Sequence, residues 1–151
     1  MDNLTIHQGG KDQAPVIAAL VHALLQELSG DKAPTLDALK ANADKALSDP
    51  RILPFLAMLD DRPVGLMTLR SDISLYATGP YATITELYVH PDFRSHGIAA
   101  QLIEVARREG RARDWNRIEV GAPNAQKWAR TVAFYRDNGF EEIGPRMRIR
   151  L

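Results

Sequence analysis

The stretch YVHPDFRSHGIAAQLIEVARREG, residues 88–110, sets an apolar strand, a basic glycine turn and a helical pattern end to end. A strand that hands over directly to a helix implies a strand–helix–strand crossover, and so a sheet with helices against it. The first amides of such a helix have no partner within it, and the aligned peptide dipoles add partial positive charge there. Arg94, Ser95, His96 and Gly97 fall at this junction. Two readings stand. Gly97 relieves a tight left-handed turn beside a solvated Arg94, or the turn holds an anion. In the second reading Gly97 and Ala99 are small enough for close backbone approach, and Arg94 adds charge. Neither G-x-x-x-x-G-K-[ST] nor G-x-G-x-x-G occurs anywhere in the chain, so familiar nucleotide loops do not fit.

The rest of the chain supplies the elements around this junction. A short strand, Leu4 to His7, ends at Gly9-Gly10. Asp12 reads as the N-cap of a helix through about Leu28, with Pro15 in its first turn. Val16, Leu20, Ala23, Leu24 and Glu27 follow the helical stride, widened by Ile17, Val21 and Leu28. Thr35 caps a second helix over 36–48. The period then changes to that of strands: ILPFLAMLD and PVGLMTLR form a hairpin across Asp60-Asp61-Arg62. Pro54 argues that the first of these starts late or lies at an edge. SDISLYATGP reads as a connection to the strand YATITELYVH. A helix from Ile98 to Asp114, a strand in RIEVGAP and a helix over AQKWARTVAFYRDN ended by Gly139 follow. The tail MRIRL alternates as a final strand. The order β-α-α-β-β-β-α-β-α-β predicts one α/β domain over 1–151, with a mixed, mostly antiparallel sheet flanked by helices.

Composition excludes several function classes. Nineteen basic residues balance nineteen acidic ones, so there is no bulk electrostatic case for nucleic acid or an anionic membrane surface. The balance is uneven along the chain. Residues 1–75 hold seven basic against ten acidic residues, and residues 76–151 hold twelve against nine. The positive half contains the glycine turn. With no cysteine, disulfides, thiolate metal sites and a cysteine nucleophile are all excluded. The histidines at 7, 22, 90 and 96 form no i, i+4 pair, and no metal is expected. MDNLTIHQGG lacks the pattern of a signal peptide, and VIAALVHALL is too short to span a bilayer. A cytoplasmic location is the default expectation.

Two further positions invite a chemical reading. In ELYVH, strand alternation places Ile84, Glu86, Tyr88 and His90 on one face and Thr85, Leu87 and Val89 on the other. An acidic residue on an inner strand either finds an arginine partner or has its pKa raised, as a general base often requires. In VAFYRDNGF, Phe134, Tyr135 and Phe140 read as core aromatics with Gly139 as C-cap. A buried tyrosine hydroxyl can also serve as a proton donor.

Taken together and in this order, ELYVHPDFRSHGIA and FYRDNGF resemble the GNAT superfamily of acetyl-CoA-dependent N-acyltransferases. Arg94-Ser95-His96-Gly97-Ile98-Ala99 matches that family's [Q/R]-x-x-G-x-[G/A] pyrophosphate loop. The resemblance covers nearly the whole chain. It implies that the amides from Ser95 to Ala99 cradle the cofactor's pyrophosphate, and that Leu87, Tyr88 and Val89 pair their backbone with the pantetheine arm as a pseudo-strand. It also implies that Tyr135 protonates the leaving thiolate and that Glu86 acts as base, directly or through water. Many members carry an asparagine seven residues before this tyrosine and an alanine four before it. Here those positions are Trp128 and Thr131, with Asn124 as a substitute contact, and Trp128 reads either as shaping the acyl or adenine side of the slot or as a core residue.

The implied reaction is attack of an amine on a thioester. An alkyl amine has a pKa of about 10.4, so on the order of one in a thousand is nucleophilic at pH 7. A base would remove that barrier. No G-x-S-x-G elbow is present, so direct transfer in a ternary complex is expected rather than an acyl-enzyme. The resemblance assigns acceptor choice to SGDKAPT and SDISLYATGP, where Asp31 and Asp72 read either as attractors of a cationic amine or as ordinary solvated loop acids. The alternative is an acyl-CoA-binding sensor without turnover. RMRIRL reads either as a strand pairing across a homodimer or as a strand with a solvated arginine face.

Overall fold

The computed structural model describes residues 3–123 and 126–151. The chain forms two compact units, Met1–Glu119 and Val120–Leu151. In the first, β1 (Leu4–Gln8) is followed by a 3-10 turn, then α1 (Ala14–Ser29) and α2 (Leu36–Ala46). Next come β2 (Ile52–Leu59), β3 (Arg62–Ser74), β4 (Gly79–Val89), α3 (Ile98–Arg113) and β5 (Ile118–Val120), the last residue of which is counted with the second unit. The five strands form one sheet in chain order. From β1 to β4 every pairing is antiparallel. The start of β4 meets the approach to β5 through Asn116 N–H to Pro80 O at 3.0 Å and Ala82 N–H to Arg117 O at 3.2 Å. Both partners advance together, which marks a parallel pair across the α3 crossover. The expected mixed sheet is therefore present.

Local chemistry explains most boundaries. The β2–β3 turn is tighter than expected, with Asp60 alone left-handed (φ 53°) and β3 resuming at Arg62. Pro54 lies inside β2, between β1 and β3, rather than at a sheet edge. Its carbonyl accepts from Gly9 N–H at 2.9 Å, and β1 ends opposite Phe55. The missing proline N–H thus faces Gly9, just past the end of β1, so the ladder to β3 loses nothing and only the reciprocal bond to Gly9 is forgone. Much of SDISLYATGP is strand, not connection: Ser71–Ser74 pair with Ala82–Gly79. A hydrogen-bonded cluster supports this polar ladder, with Asp72 accepting from Arg70 Nε at 2.9 Å and from Thr83 Oγ1 at 3.2 Å.

Thr35 caps α2 as expected, its Oγ1 accepting from Ala38 N–H at 3.2 Å. Asp12 does not cap α1. It sits within the 3-10 turn Lys11–Gln13, whose N-cap is Gly10. Side chains of α1 pack on one face of the sheet, where Ile17 and Leu20 meet Leu56, Leu66 and Tyr88. Removing a side chain such as Leu66 from water contributes about 1.5–3 kcal/mol. The opposite face receives α3. Ile98 stands over Gly65 there, where a Cβ would come within 3.5 Å of Ile98 Cγ2, and Leu102, Ile103 and Ala106 are fully buried.

The second unit carries α4 (Ala129–Asp137). After Asn138 the chain closes in a Schellman motif: Phe140 N–H reaches Tyr135 O and Gly139 N–H reaches Arg136 O, both at 3.0 Å, with Gly139 left-handed at φ 94°. Residues 140–151 form no regular element, so the final strand expected in MRIRL is absent. Met147, Ile149 and Leu151 are exposed. Alternation alone does not make a strand, because each ladder bond needs a partner strand.

Candidate active site

Strand β4 carries the first group of predicted residues. Its register against β3 slips between Thr68 and Leu69: Thr68 lies opposite Glu86, whereas Leu69 lies opposite Ile84. Thr85 is the extra residue of a β-bulge. This overturns the simple alternation, because Glu86 shares the α1 face with Leu66 and Tyr88 while Ile84 turns to the other face. The bulge also sets the backbone. His90 N–H donates to Val64 O at 2.8 Å. By alternation, Leu87 and Val89 turn their N–H and C=O groups away from β3. Tyr88 sends its side chain into the core beneath α1.

Glu86 has no ion pair among the described residues, so the plain arginine-partner reading fails; Arg70 is committed to Asp72 at 2.9 Å. Desolvation raises the Glu86 carboxyl above its ordinary value, opposed by hydrogen bonds from Thr85 and Thr68 and, more weakly, by Arg70. A native carboxyl with a raised pKa holds its proton more tightly than the unfolded chain does. Its contribution to stability is full below the ordinary carboxylate range and is lost as pH rises through the native value. Glu86→Gln is therefore expected to flatten the fall in melting temperature between mildly acidic and neutral pH. Parallel thermal melts of both proteins across that range check this. Asp72, expected in a loop as an attractor of cations, instead belongs to β3 and is engaged by Arg70 and Thr83.

The second group follows directly. After the 3-10 turn Pro91–Phe93, Ser95 (φ 66°) and Gly97 (φ 79°) are both left-handed, and Gly97 is the N-cap of α3. No side chain caps this helix. A Cβ on Gly97 would meet nothing within 4 Å. Ser95, His96 and Gly97 are exposed, Ile98 anchors the helix in the core, and Ala99 is half-buried. This is a sixteen-residue helix with no side-chain cap at its N-terminus, and a helix N-terminus of that kind can hold an anion with backbone. Arg94 is occupied elsewhere. Its Nε donates to Val89 O at 2.9 Å, and its two terminal nitrogens reach the Glu27 carboxylate at 2.7 and 2.6 Å. The guanidinium also lies 5.7 Å from the Tyr88 ring centroid. The structure thus brings Glu86, Leu87, Tyr88, Val89 and Arg94–Ala99 together on one unit.

Glu27 was read only as part of the α1 stripe, and its link to Arg94 was missed. The available signal was a carboxylate in the last turn of a helix, which opposes the helix dipole unless a cation is near.

In the second unit Tyr135 is buried, its ring edge-on to Phe134 and Phe140 at 5.6 and 5.5 Å. Burial pushes its phenol up to about 12, so it holds its proton throughout the neutral range. Trp128 is the N-cap of α4. Asn124 lies outside the described residues.

Residues 18–140 match the model of the Acetyltransferase (GNAT) family. The chain belongs to that family. Among solved structures it is similar to an aminoglycoside acetyltransferase from an uncultured soil metagenomic sample, with 22% identity, a TM-score of 0.79, and 99% of this chain and 97% of that one covered. It is also similar to the ribosomal-protein-alanine N-acetyltransferase from Brucella melitensis biovar Abortus 2308, at 21% identity and TM-score 0.77, covering 98% and 99% of the two chains. A transcriptional regulator from Bacillus halodurans C-125 shares the fold at 17% identity and TM-score 0.83, again covering 98% and 99%. No curated protein matches the sequence significantly.

Proposed function

We propose that this chain is an N-acetyltransferase that takes its acetyl group from acetyl-CoA and passes it to a primary amine by direct attack. The observation that carries this reading is the uncapped N-terminus of α3, with Gly97 at φ 79°, placed directly after a strand segment whose Leu87 and Val89 backbone faces away from β3. In this reading the amides of Ser95–Ala99 hold the pyrophosphate, and Leu87 with the Val89 N–H pairs with the pantetheine arm. When bound, acetyl-CoA supplies an acetyl group activated as a thioester.

Glu86 is the base in this proposal. Its raised carboxyl pKa brings it closer to that of an ammonium donor, which favours proton acceptance directly or through a water. A backbone N–H near Val89 steadies the carbonyl oxygen as charge develops. Tyr135 gives its proton to the departing thiolate, a role suited to a phenol protonated up to about pH 12.

Fold alone does not decide catalysis, since the neighbours include a protein described as a transcriptional regulator. The aminoglycoside and ribosomal-protein enzymes point to amines as the acceptor class. Thiol release from acetyl-CoA in the presence of primary amines, followed from pH 6 to 9 in wild type and Glu86→Gln, tests the reading. Wild type should turn over. The variant should lose roughly 100-fold or more in kcat, the usual range for removing a general base. Equal rates in the two proteins would remove Glu86 from the chemistry.

A further inference from the structure

The match to the loop pattern begins with Arg94, and a cation there suggests direct contact with phosphate. The geometry points to a different division of labour. We infer that Glu27 on α1 is a positioning residue for the anion-holding loop: it captures the Arg94 guanidinium and makes that side chain a strut between α1, the last residue of β4 and the turn that precedes α3. The inference rests on the reading of this loop as the cofactor site.

Three contacts converge on one planar group. The two terminal nitrogens of Arg94 meet the two Glu27 oxygens at 2.7 and 2.6 Å, the fork-to-fork arrangement of a guanidinium with a carboxylate. The third, Nε, donates to Val89 O at 2.9 Å. The guanidinium also lies near the Tyr88 ring, which packs in one cluster with Ile17 and Leu20 of α1 and with Leu56 and Leu66 of the sheet. A lysine could not reproduce this fork. The pair is about one-third exposed on both sides, with side-chain exposures of 41% and 31%, so it acts through geometry more than through charge strength.

The strut meets two local needs. Glu27 stands in the last turn of α1 with no basic residue of its own helix there, and Arg94 supplies the missing cation. Ser95, immediately after Arg94, holds φ 66°, a region that is strained for a residue with a Cβ. Anchoring the preceding side chain at three points holds the chain in that conformation. It also engages the Val89 carbonyl, leaving that residue's N–H and the Leu87 groups to face the arm of the cofactor.

The proposal predicts a sign. If Arg94 were a phosphate ligand restrained by a competing carboxylate, Glu27→Gln would free it and tighten binding of coenzyme A. If Glu27 positions the loop, the same change weakens binding, by roughly two- to fivefold for a partly exposed bidentate pair. Arg94→Lys should weaken it similarly although the charge is kept. The double variant Glu27→Gln/Arg94→Lys should be little worse than either alone, since both remove one interaction.

The experiment pairs two readouts on the full chain. Hydrogen exchange of the free protein reports the strut itself: faster exchange across residues 89–99 in Glu27→Gln, with the exchange of β2 and β3 unchanged, is the expected result. Unchanged exchange at 89–99 would overturn the inference, as would equal loss of protection throughout the sheet. Calorimetric titration with coenzyme A reports the consequence, weaker for Glu27→Gln and Arg94→Lys; tighter or equal binding in Glu27→Gln would overturn it too. If wild type itself fails to bind coenzyme A, the proposed function falls, and the exchange data still decide whether Glu27 holds the loop.

Discussion

Gly97→Asp is expected to abolish measurable binding of coenzyme A while leaving the fold in place. Gly97 sits at φ 79°, a conformation that aspartate tolerates better than most residues with a Cβ, so the cost to stability should be about 1 kcal/mol or less. The new side chain enters open space, since nothing lies within 4 Å of the Cβ position. Its carboxylate, however, stands at the N-terminus of α3, where the proposal places a pyrophosphate. Two like charges about 5 Å apart at an effective dielectric of 20 repel by about 3 kcal/mol, or more than 100-fold in affinity. Calorimetry and a thermal melt on the same preparation separate the two effects. Retained binding would show that the anion site is elsewhere.

Tyr135→Phe carries the second large effect, on turnover instead of binding. The phenyl ring keeps the edge-on contacts with Phe134 and Phe140 and the backbone bonds of the Schellman motif. Among the described residues the hydroxyl has no hydrogen-bond partner to lose, and desolvation alone raises its pKa. Melting temperature should therefore be unchanged or slightly higher. A thiol of pKa about 8.5 leaves moderately well without help, so the expected loss in kcat sits at the low end for a general acid, roughly 10- to 100-fold. Cofactor affinity should not move. Unchanged kcat would leave Tyr135 as a packing residue.

What the sequence revealed, and what it hid, divides by range. The handover from β4 to α3 was legible because its determinants are local: a glycine that must be left-handed, small residues after it, and a helical stride that follows. The same holds for the Thr35 cap and the end of α4 at Gly139. The bulge at Thr85 was not legible, since it exists only in the pairing of β4 with β3; it moved Ile84 off the face of Glu86. Pro54 misled for a similar reason, because its tolerance inside β2 depends on where β1 stops. Arg94 was recognised as part of a motif, but its partner lies 67 positions away, beyond any local pattern. The tail had the alternation of a strand without a ladder to join.

The central claim is acetyl transfer to an amine, and it is tested most directly by incubating the protein with acetyl-CoA and a pool of small amines, amino acids, aminoglycosides and peptides. Thiol release would be followed and every product mass recorded. The account predicts stoichiometric thiol release with at least one amine gaining a single acetyl group, lost in Gly97→Asp and reduced in Tyr135→Phe. Thiol release without any acetylated amine, or coenzyme A binding with no release across the pool, would contradict it.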